Sequence, residues 1–417
     1  MTQEPYDVDA WWADDDPNWG DDPQRPLKPN PGSELDPVNF VGHREETRLA
    51  VEKLQSGQNL LLSDPRRLGK TFWTLKFAEQ MERLGLFHVV YIDYEDVTTT
   101  EELLTETVKG LVRCATVPTR FVEWAKGSFD IEVTAGVGPV SVALKRAATG
   151  VGALDHLERI FTKLDQEVQR YDRVPLVIAM DEVPDAVRNI VDNGAPVDGR
   201  NVLHTLKHLR GSMPHVRWIV AGSVGFHHVL RRCGGTTALL GDLNVLPFGP
   251  LDPGSAQMLA RRLCLGIGRP IEDDALNRLV QVTDAIPYLI QALCDQARWK
   301  NGRPTTDPIT PADVSALFET FLADRDLSHA VSHFVTRIEV VYDKPDAKLA
   351  HKILAWAAED PPGPRALTGL PDTVRKDPRF AAVLHNLIDD HYLVQRGHAV
   401  TWRYEVIRAI YRHRTEA

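Results

Sequence analysis

A chain of 417 residues, 43% hydrophobic, 25% charged and 7% aromatic, carries enough apolar material for two or three domains, each with its own core. That composition excludes whole-chain disorder, collagen-like repetition and a disulfide scaffold. The formal charge of -10 is concentrated at the start: residues 1–36 hold ten acidic and two basic side chains, so the remainder is close to neutral and is no bulk polycation for coating nucleic acid.

The same 1–36 segment is broken by prolines and lacks sustained apolar periodicity, which predicts a disordered arm. Trp11, Trp12 and Trp19 add a second reading, an acidic-aromatic arm that docks in a basic, apolar groove. Its acidity is the reverse of a secretory or transit signal, and no apolar run approaches the roughly 20 residues of a membrane span. The expected location is therefore cytoplasmic, with no membrane partner. Cys114, Cys233, Cys264 and Cys294 form no C-x-x-C pair and read as buried small hydrophobes.

From Phe40 to about Val245, short apolar runs alternate with amphipathic stretches. Asn59–Ser63, His88–Asp93, Pro175–Asp181 and Val216–Ala221 read as strands; Thr71–Leu84, Thr99–Arg113, Ala153–Tyr171 and Gly199–Arg210 read as helices. Continuously apolar strands separated by helices imply a parallel sheet covered on both faces, an α/β domain over residues 37–250. Alternation at 129–133 and 140–144 about a Gly/Pro turn predicts an inserted β-hairpin near 129–144. Residues 251–345 give helices at Ala256–Cys264, Glu272–Thr283 and Pro287–Trp299, a helical lid and connector. Residues 346–417 give helices followed by a two-stranded ribbon and a closing helix, the pattern of a winged-helix domain.

The strongest motif is Asp64-Pro65-Arg66-Arg67-Leu68-Gly69-Lys70-Thr71, with Phe72 following, between the first strand and a helix. Strand, turn and helix N-terminus are the context in which a P-loop gathers phosphates on backbone N–H groups. Lys70 would neutralise the β- and γ-phosphates of ATP, and Thr71 would ligate Mg²⁺. Asp64 stands where the motif's first glycine belongs, and a carboxylate there is unwelcome unless it turns outward. Downstream, the apolar run Leu176–Met180 ends in Asp181-Glu182, a Walker B pattern expected on a strand adjacent to the P-loop strand. Asp181 would hold Mg²⁺ and Glu182 would polarise the attacking water. Ser223, ending the next apolar run, fits a sensor position. His204 and His208 share a helix face, but Thr205 stands where a zinc-protease motif needs Glu, and no metal site is expected there.

With these motifs the chain resembles the bacterial and archaeal AAA+/STAND-type ATPases with a C-terminal winged helix, over roughly residues 38–417. Phe40-Val41-Gly42-His43-Arg44 is similar to the family's entry motif beside the adenine, with His43 in the usual arginine position. Ala285-Ile286-Pro287-Tyr288 is similar to the Gly-x-Pro lid motif, with Ala285 replacing glycine and Pro287 meeting the adenine. Gly241-Asp242 stands where the family commonly has Gly-Arg, whose cation assists phosphoryl transfer; Arg231 and Arg232, ten residues earlier, read first as solvated helix-end cations and second as substitutes for it. The resemblance implies an ATP/ADP-driven switch or slow ATPase, in bacterial defence or mobile-element settings. Its rivals are an oligomeric DNA-remodelling or loader ATPase and a scaffold that binds nucleotide without turning it over.

For the C-terminal domain two partners stay open, DNA and a protein, with self-association a further option. Arg396, Arg403, Arg408, Arg412 and Arg414 interleave with Trp402, Tyr404 and Tyr411 as a nucleic-acid surface would. The helix expected to enter a groove, near Pro378–Asp390, is apolar and ends in Asp389-Asp390, which phosphates would repel.

Overall fold

The computed structural model describes residues 22–31, 39–129, 131–134, 141–144, 151–171, 174–223, 225–300, 302–324 and 336–416. Trp11, Trp12, Trp19 and the hairpin turn at 135–140 lie outside them. The chain divides into two units. One comprises Met1–His43, Pro65–Gly69 and Gly249–Ala417; the other comprises Arg44–Asp64 and Lys70–Phe248.

In the second unit, β1 (Asn59–Ser63), β2 (His88–Asp93), β5 (Leu176–Asp181), β6 (Val216–Gly222) and β7 (Leu243–Val245) form one parallel sheet in the order β2-β5-β6-β1-β7. Helices α1 (Arg44–Gln55), α2 (Lys70–Leu84), α3 (Thr100–Arg113), α4 (Thr119–Phe129), α5 (Val151–Tyr171), α6 (Val183–Asn193), α7 (Pro196–Ser212) and α8 (Phe226–Cys233) connect and cover the strands. The apolar runs become strands because both faces are covered: every residue of β5 is buried. Local chemistry sets the helix starts. Thr99 caps α3 by accepting from the Glu102 N–H at 3.2 Å, while Glu102 reaches back to the Thr98 N–H at 2.7 Å. Two tryptophans anchor the core: Trp218 packs on Phe161 at 4.9 Å, and Trp73 lies between Phe77 at 5.0 Å and Phe248 at 5.6 Å. The expected hairpin is β3 (Ile131–Thr134) paired antiparallel with β4 (Ser141–Leu144).

One expectation is corrected by the sheet order. Strand β5, which carries Asp181, is not the neighbour of β1; β6 lies between them, pairing Ile219 with Leu60 on one side and Ala179 on the other. Strand adjacency is a property of long-range pairing that no local pattern encodes.

In the first unit, α9 (Pro253–Gly266), α10 (Asp273–Thr283), α11 (Pro287–Gln296) and α12 (Pro311–Ala323) form the helical segment, with a short β8–β9 hairpin (Trp299–Lys300, Arg303–Pro304) that the sequence did not announce. Asp252 caps α9 and Thr310 with Asp313 makes a capping box on α12. The C-terminal part contains α13 (Lys344–Ala358), β10 (Arg365–Ala366), α14 (Asp372–Arg375), α15 (Phe380–Asp389), β11 (Leu393–Arg396), β12 (Ala399–Trp402) and α16 (Glu405–Glu416). Its antiparallel sheet has three strands, β10-β12-β11, one more than the ribbon expected.

The arm is not featureless throughout. Leu27 is buried, its N–H donates to the Arg262 carbonyl at 2.8 Å, and the fully buried Arg262 returns a bond from Nε to the Arg25 carbonyl at 3.0 Å. Gly266 permits this approach, because a Cβ there would stand 1.8 Å from the Leu27 carbonyl oxygen. Among the described residues no helix is long and apolar enough to cross a membrane. Cys233, Cys264 and Cys294 are buried as expected, and Cys114 only partly so.

Candidate nucleotide site

At the end of β1 the chain enters Asp64–Gly69 through unusual dihedrals: Arg67 has φ 74 and Gly69 φ 95, the left-handed region that glycine enters without strain. No atom would meet a Cβ on Gly69 within 4 Å, so open space lies beside its backbone. Lys70 opens α2, and its buried Nζ donates to the Asp64 carbonyl at 2.5 Å. The Asp64 side chain has a backbone donor of its own: its Oδ2 accepts from the Phe248 N–H at 3.3 Å in a buried position. Asp in the glycine position is thus accommodated by a backbone donor. Pro65 and Leu68 are buried, while Arg66, Arg67 and Phe72 are half-buried.

Thr71 Oγ1 donates to Asp181 Oδ2 at 2.7 Å, across 110 residues of sequence. Tyr91 reaches the same oxygen at 3.2 Å, and Asp181 Oδ1 accepts from the Glu182 N–H at 3.0 Å. Burial pushes the Asp181 carboxyl up from its ordinary value and the neighbouring Glu182 adds to this, against the Thr71 hydroxyl and the Lys70 ammonium. A hydroxyl and a carboxylate oxygen in contact, beside an ammonium, are a fitting donor set for an Mg²⁺–phosphate group.

Glu182 adopts φ 52 at the start of α6, an uncommon conformation for a side chain of its size. Its Oε2 accepts from both the N–H and the Oγ of Ser223, at 3.0 and 3.1 Å. Ser223 Oγ also lies 3.4 Å from Asp185, which pairs with Arg188 at 2.7 Å. The structure therefore joins Thr71 to Asp181 and Glu182 to Ser223, all within the second unit.

Tyr91, Asp93 and Asp185 were missed by the sequence reading. The β2–β5 register puts Asp93 opposite Asp181. The only available signal was that both β2 and β5 end in Asp, which gains meaning only once they pair.

Phe40, Val41 and Pro287 belong to the first unit. Phe40 and Val41 are buried, and Gly42 and His43 follow with φ 80 and 58. Side chains at Gly42 would strike Leu251 and Ser255. Ala285, in the place of the lid motif's glycine, has φ 55, so this chain keeps the left-handed turn without the residue that makes it easy. Pro287 opens α11, where a missing N–H costs nothing.

The position expected to carry a cationic finger does the opposite. Asp242 accepts from Arg210 Nε at 2.6 Å and Nη2 at 2.9 Å. Arg232 is committed to Asp192 at 2.8 Å.

No protein-family model and no curated protein matches the chain. Among solved structures it is similar to a Walker-type ATPase of Pyrococcus abyssi, with 17% identity, 90% of this chain and 96% of that chain covered, and a TM-score of 0.58. It is also similar to the ORC2 protein of Aeropyrum pernix in its ADPNP–ADP complexes, with 12% identity, coverage of 91% and 97%, and a TM-score of 0.50. The chain shares with these two proteins a P-loop α/β fold built on a parallel sheet. In that fold the β1–α2 loop and the ends of β5 and β6 are where the sequence motifs lie.

The C-terminal surface departs from expectation. Arg408 is buried and donates to the Ala358 carbonyl at 2.5 Å and to Glu405, and Arg412 pairs with Asp360. Trp402, Tyr404 and Tyr411 are buried, with Trp402 and Tyr411 packed at 5.2 Å, so they are core and not stacking platforms. Asp390 is buried too, accepting from Tyr342 at 2.7 Å, and so is no repulsive surface charge. Arg396 and Arg403 are exposed, as is His398 at the hairpin.

Proposed function

We propose that the protein is an ATP-binding molecular switch with slow Mg²⁺-dependent ATPase activity, which couples its nucleotide state to a C-terminal winged helix that engages DNA. The observation that carries this reading is the Thr71–Asp181 hydrogen bond beside Lys70 at the end of the P-loop. The Aeropyrum pernix protein of the same fold was solved with ADPNP and ADP, which supports a nucleotide as ligand. The domain plan is an arm at 1–36, an ATPase core at 37–250, a lid and connector at 251–345 and a winged helix at 346–417.

In this reading the backbone of residues 64–69 and the Lys70 ammonium receive the phosphates, and the adenine contacts that the resemblance implies fall to Phe40, Val41 and Pro287. Thr71 and Asp181 hold Mg²⁺, which supplies positive charge to the terminal phosphate when bound. Glu182 orients the attacking water once Ser223 releases or shares its carboxylate. Asp242 offers no cation, so turnover by the isolated chain is slow. Two exposed arginines, Arg396 and Arg403, support DNA contact, though on a smaller footprint than the sequence suggested. Calorimetry with ATP–Mg²⁺ tests the reading: wild type binds, Lys70→Ala does not, and equal affinities would overturn the assignment.

A further inference from the structure

The turn Asp284–Tyr288 touches the loop Pro65–Gly69 at one end and the last helix of the chain at the other. Asp284 and Ala285 follow α10 with φ 47 and 55, two successive left-handed residues, neither of them glycine. Such a turn persists only where its surroundings hold it. The Ala285 N–H donates to the Val280 carbonyl and its own carbonyl accepts from the Leu251 N–H, both at 3.1 Å. The Asp284 carboxylate accepts from the Val406 N–H at 2.6 Å, across 122 residues. Val406 lies in the first turn of α16, whose leading N–H groups lack partners within the helix, so the lid turn caps the C-terminal helix.

At the other end, Tyr288 in the first turn of α11 carries the Arg67 guanidinium 4.5 Å from its ring centroid. Arg67 sits three residues before Lys70, and its Nε is buried with no hydrogen-bond partner among the described residues. An arginine held by a ring while one of its donors goes unused is poised to exchange that ring for an anion, because charge-assisted hydrogen bonds to phosphate are the stronger contact.

We propose that the Asp284–Tyr288 turn is a relay, with Arg67 on Tyr288 as its input and Asp284 on Val406 as its output, tying the state of the phosphate loop to the seating of α16. The proposal rests on the reading of that loop as a nucleotide site. Phosphate drawing Arg67 from Tyr288 removes a contact that fixes the start of α11. The strained residues 284 and 285 then relax, and the cap on α16 loosens. By linkage, whatever the C-terminal domain binds alters nucleotide affinity by the same factor.

Amide hydrogen exchange on the full chain tests this. In wild type, saturating ATPγS–Mg²⁺, with occupancy checked by calorimetry, should raise exchange in the first turn of α16 by about tenfold, within the usual range of coupling. Tyr288→Leu should abolish that response with nucleotide still bound, whereas Tyr288→Phe, which keeps the ring, should retain it. Asp284→Ala should exchange fast in both states, and Asp284→Asn, which keeps an acceptor, should respond. A wild-type response in Tyr288→Leu would overturn the relay. A second arm needs no nucleotide: in the ligand-free protein Arg67→Ala and Asp284→Ala should act non-additively on α16 exchange. Additivity there would sink the relay. Failure of wild type to bind ATPγS would instead refute the nucleotide reading and leave this cycle to judge the relay.

Discussion

Asp242 and Arg210 form a two-pronged ion pair in which the arginine side chain is 3% exposed and the aspartate 29%. Replacing Asp242 therefore has a structural consequence before any catalytic one. Asp242→Ala strands a buried guanidinium, expected at the lower end of about 3–5 kcal/mol because Asp242 is itself partly solvated. Asp242→Arg sets two cations together and should destabilise further, rather than restore a catalytic finger. Chemical denaturation checks both; unchanged midpoints would mean that Arg210 finds other acceptors.

The same pair gives a pH dependence. Burial alone would raise the Asp242 carboxyl, but the hydrogen bond and charge of Arg210 outweigh it and hold the group below its ordinary value. A depressed carboxyl contributes stability that is complete above the ordinary value of about 3.9 and is lost as pH falls through the lower folded value. The difference between wild type and Asp242→Asn should therefore shrink on acidification below about pH 4, as followed by denaturation at successive pH values.

Glu182 and Ser223 should separate binding from turnover. Glu182→Gln is expected to keep ATP affinity while hydrolysis falls by about 100-fold or more, within the usual range for a lost general base. Ser223→Ala removes the hydroxyl but keeps the N–H that also reaches Glu182, so the expected loss is milder, about tenfold for one hydrogen bond. Steady-state phosphate release together with calorimetry would show it. Fast hydrolysis by wild-type monomers would contradict the slow-switch reading.

The arm carries a stability test. Leu27→Ala is expected to cost about 2–3 kcal/mol, as for a buried leucine at a surface segment. Gly266→Ala should displace the same segment by steric contact with the Leu27 carbonyl. A melting temperature insensitive to both would show that residues 22–31 contribute nothing to folding.

For DNA, charge reversal at Arg396 and Arg403 should weaken binding and lower the salt slope by about 1 per lost phosphate contact. Arg408→Glu is the wrong probe, because it breaks a buried network and should lower stability whether or not DNA binds. Fluorescence anisotropy over a salt series reads the first effect. DNA affinity unmoved by the Arg396 and Arg403 reversals would assign the domain to a protein partner.

The sequence by itself determined four of the five sheet strands, missing β7, together with the strand–loop–helix setting of Asp64–Thr71, the strand end at Asp181-Glu182 and the order of helical segments. Each of these is written in neighbouring residues: apolar runs long enough to cross a covered sheet, turn residues, caps, and a Gly-Lys-Thr at a helix start. What only the tertiary structure decided depends on partners far apart in the chain. Asp64 looked hostile to phosphate until Phe248 supplied an N–H, and Asp242 looked like a missing finger until Arg210 arrived from α7. Strand β6 separated β1 from β5, which no local pattern could announce. The basic-aromatic run at 396–414 read as surface because its composition is amphipathic. Packing instead buried Trp402, Tyr404, Arg408 and Tyr411, since long side chains can satisfy a core and a hydrogen-bond network at once.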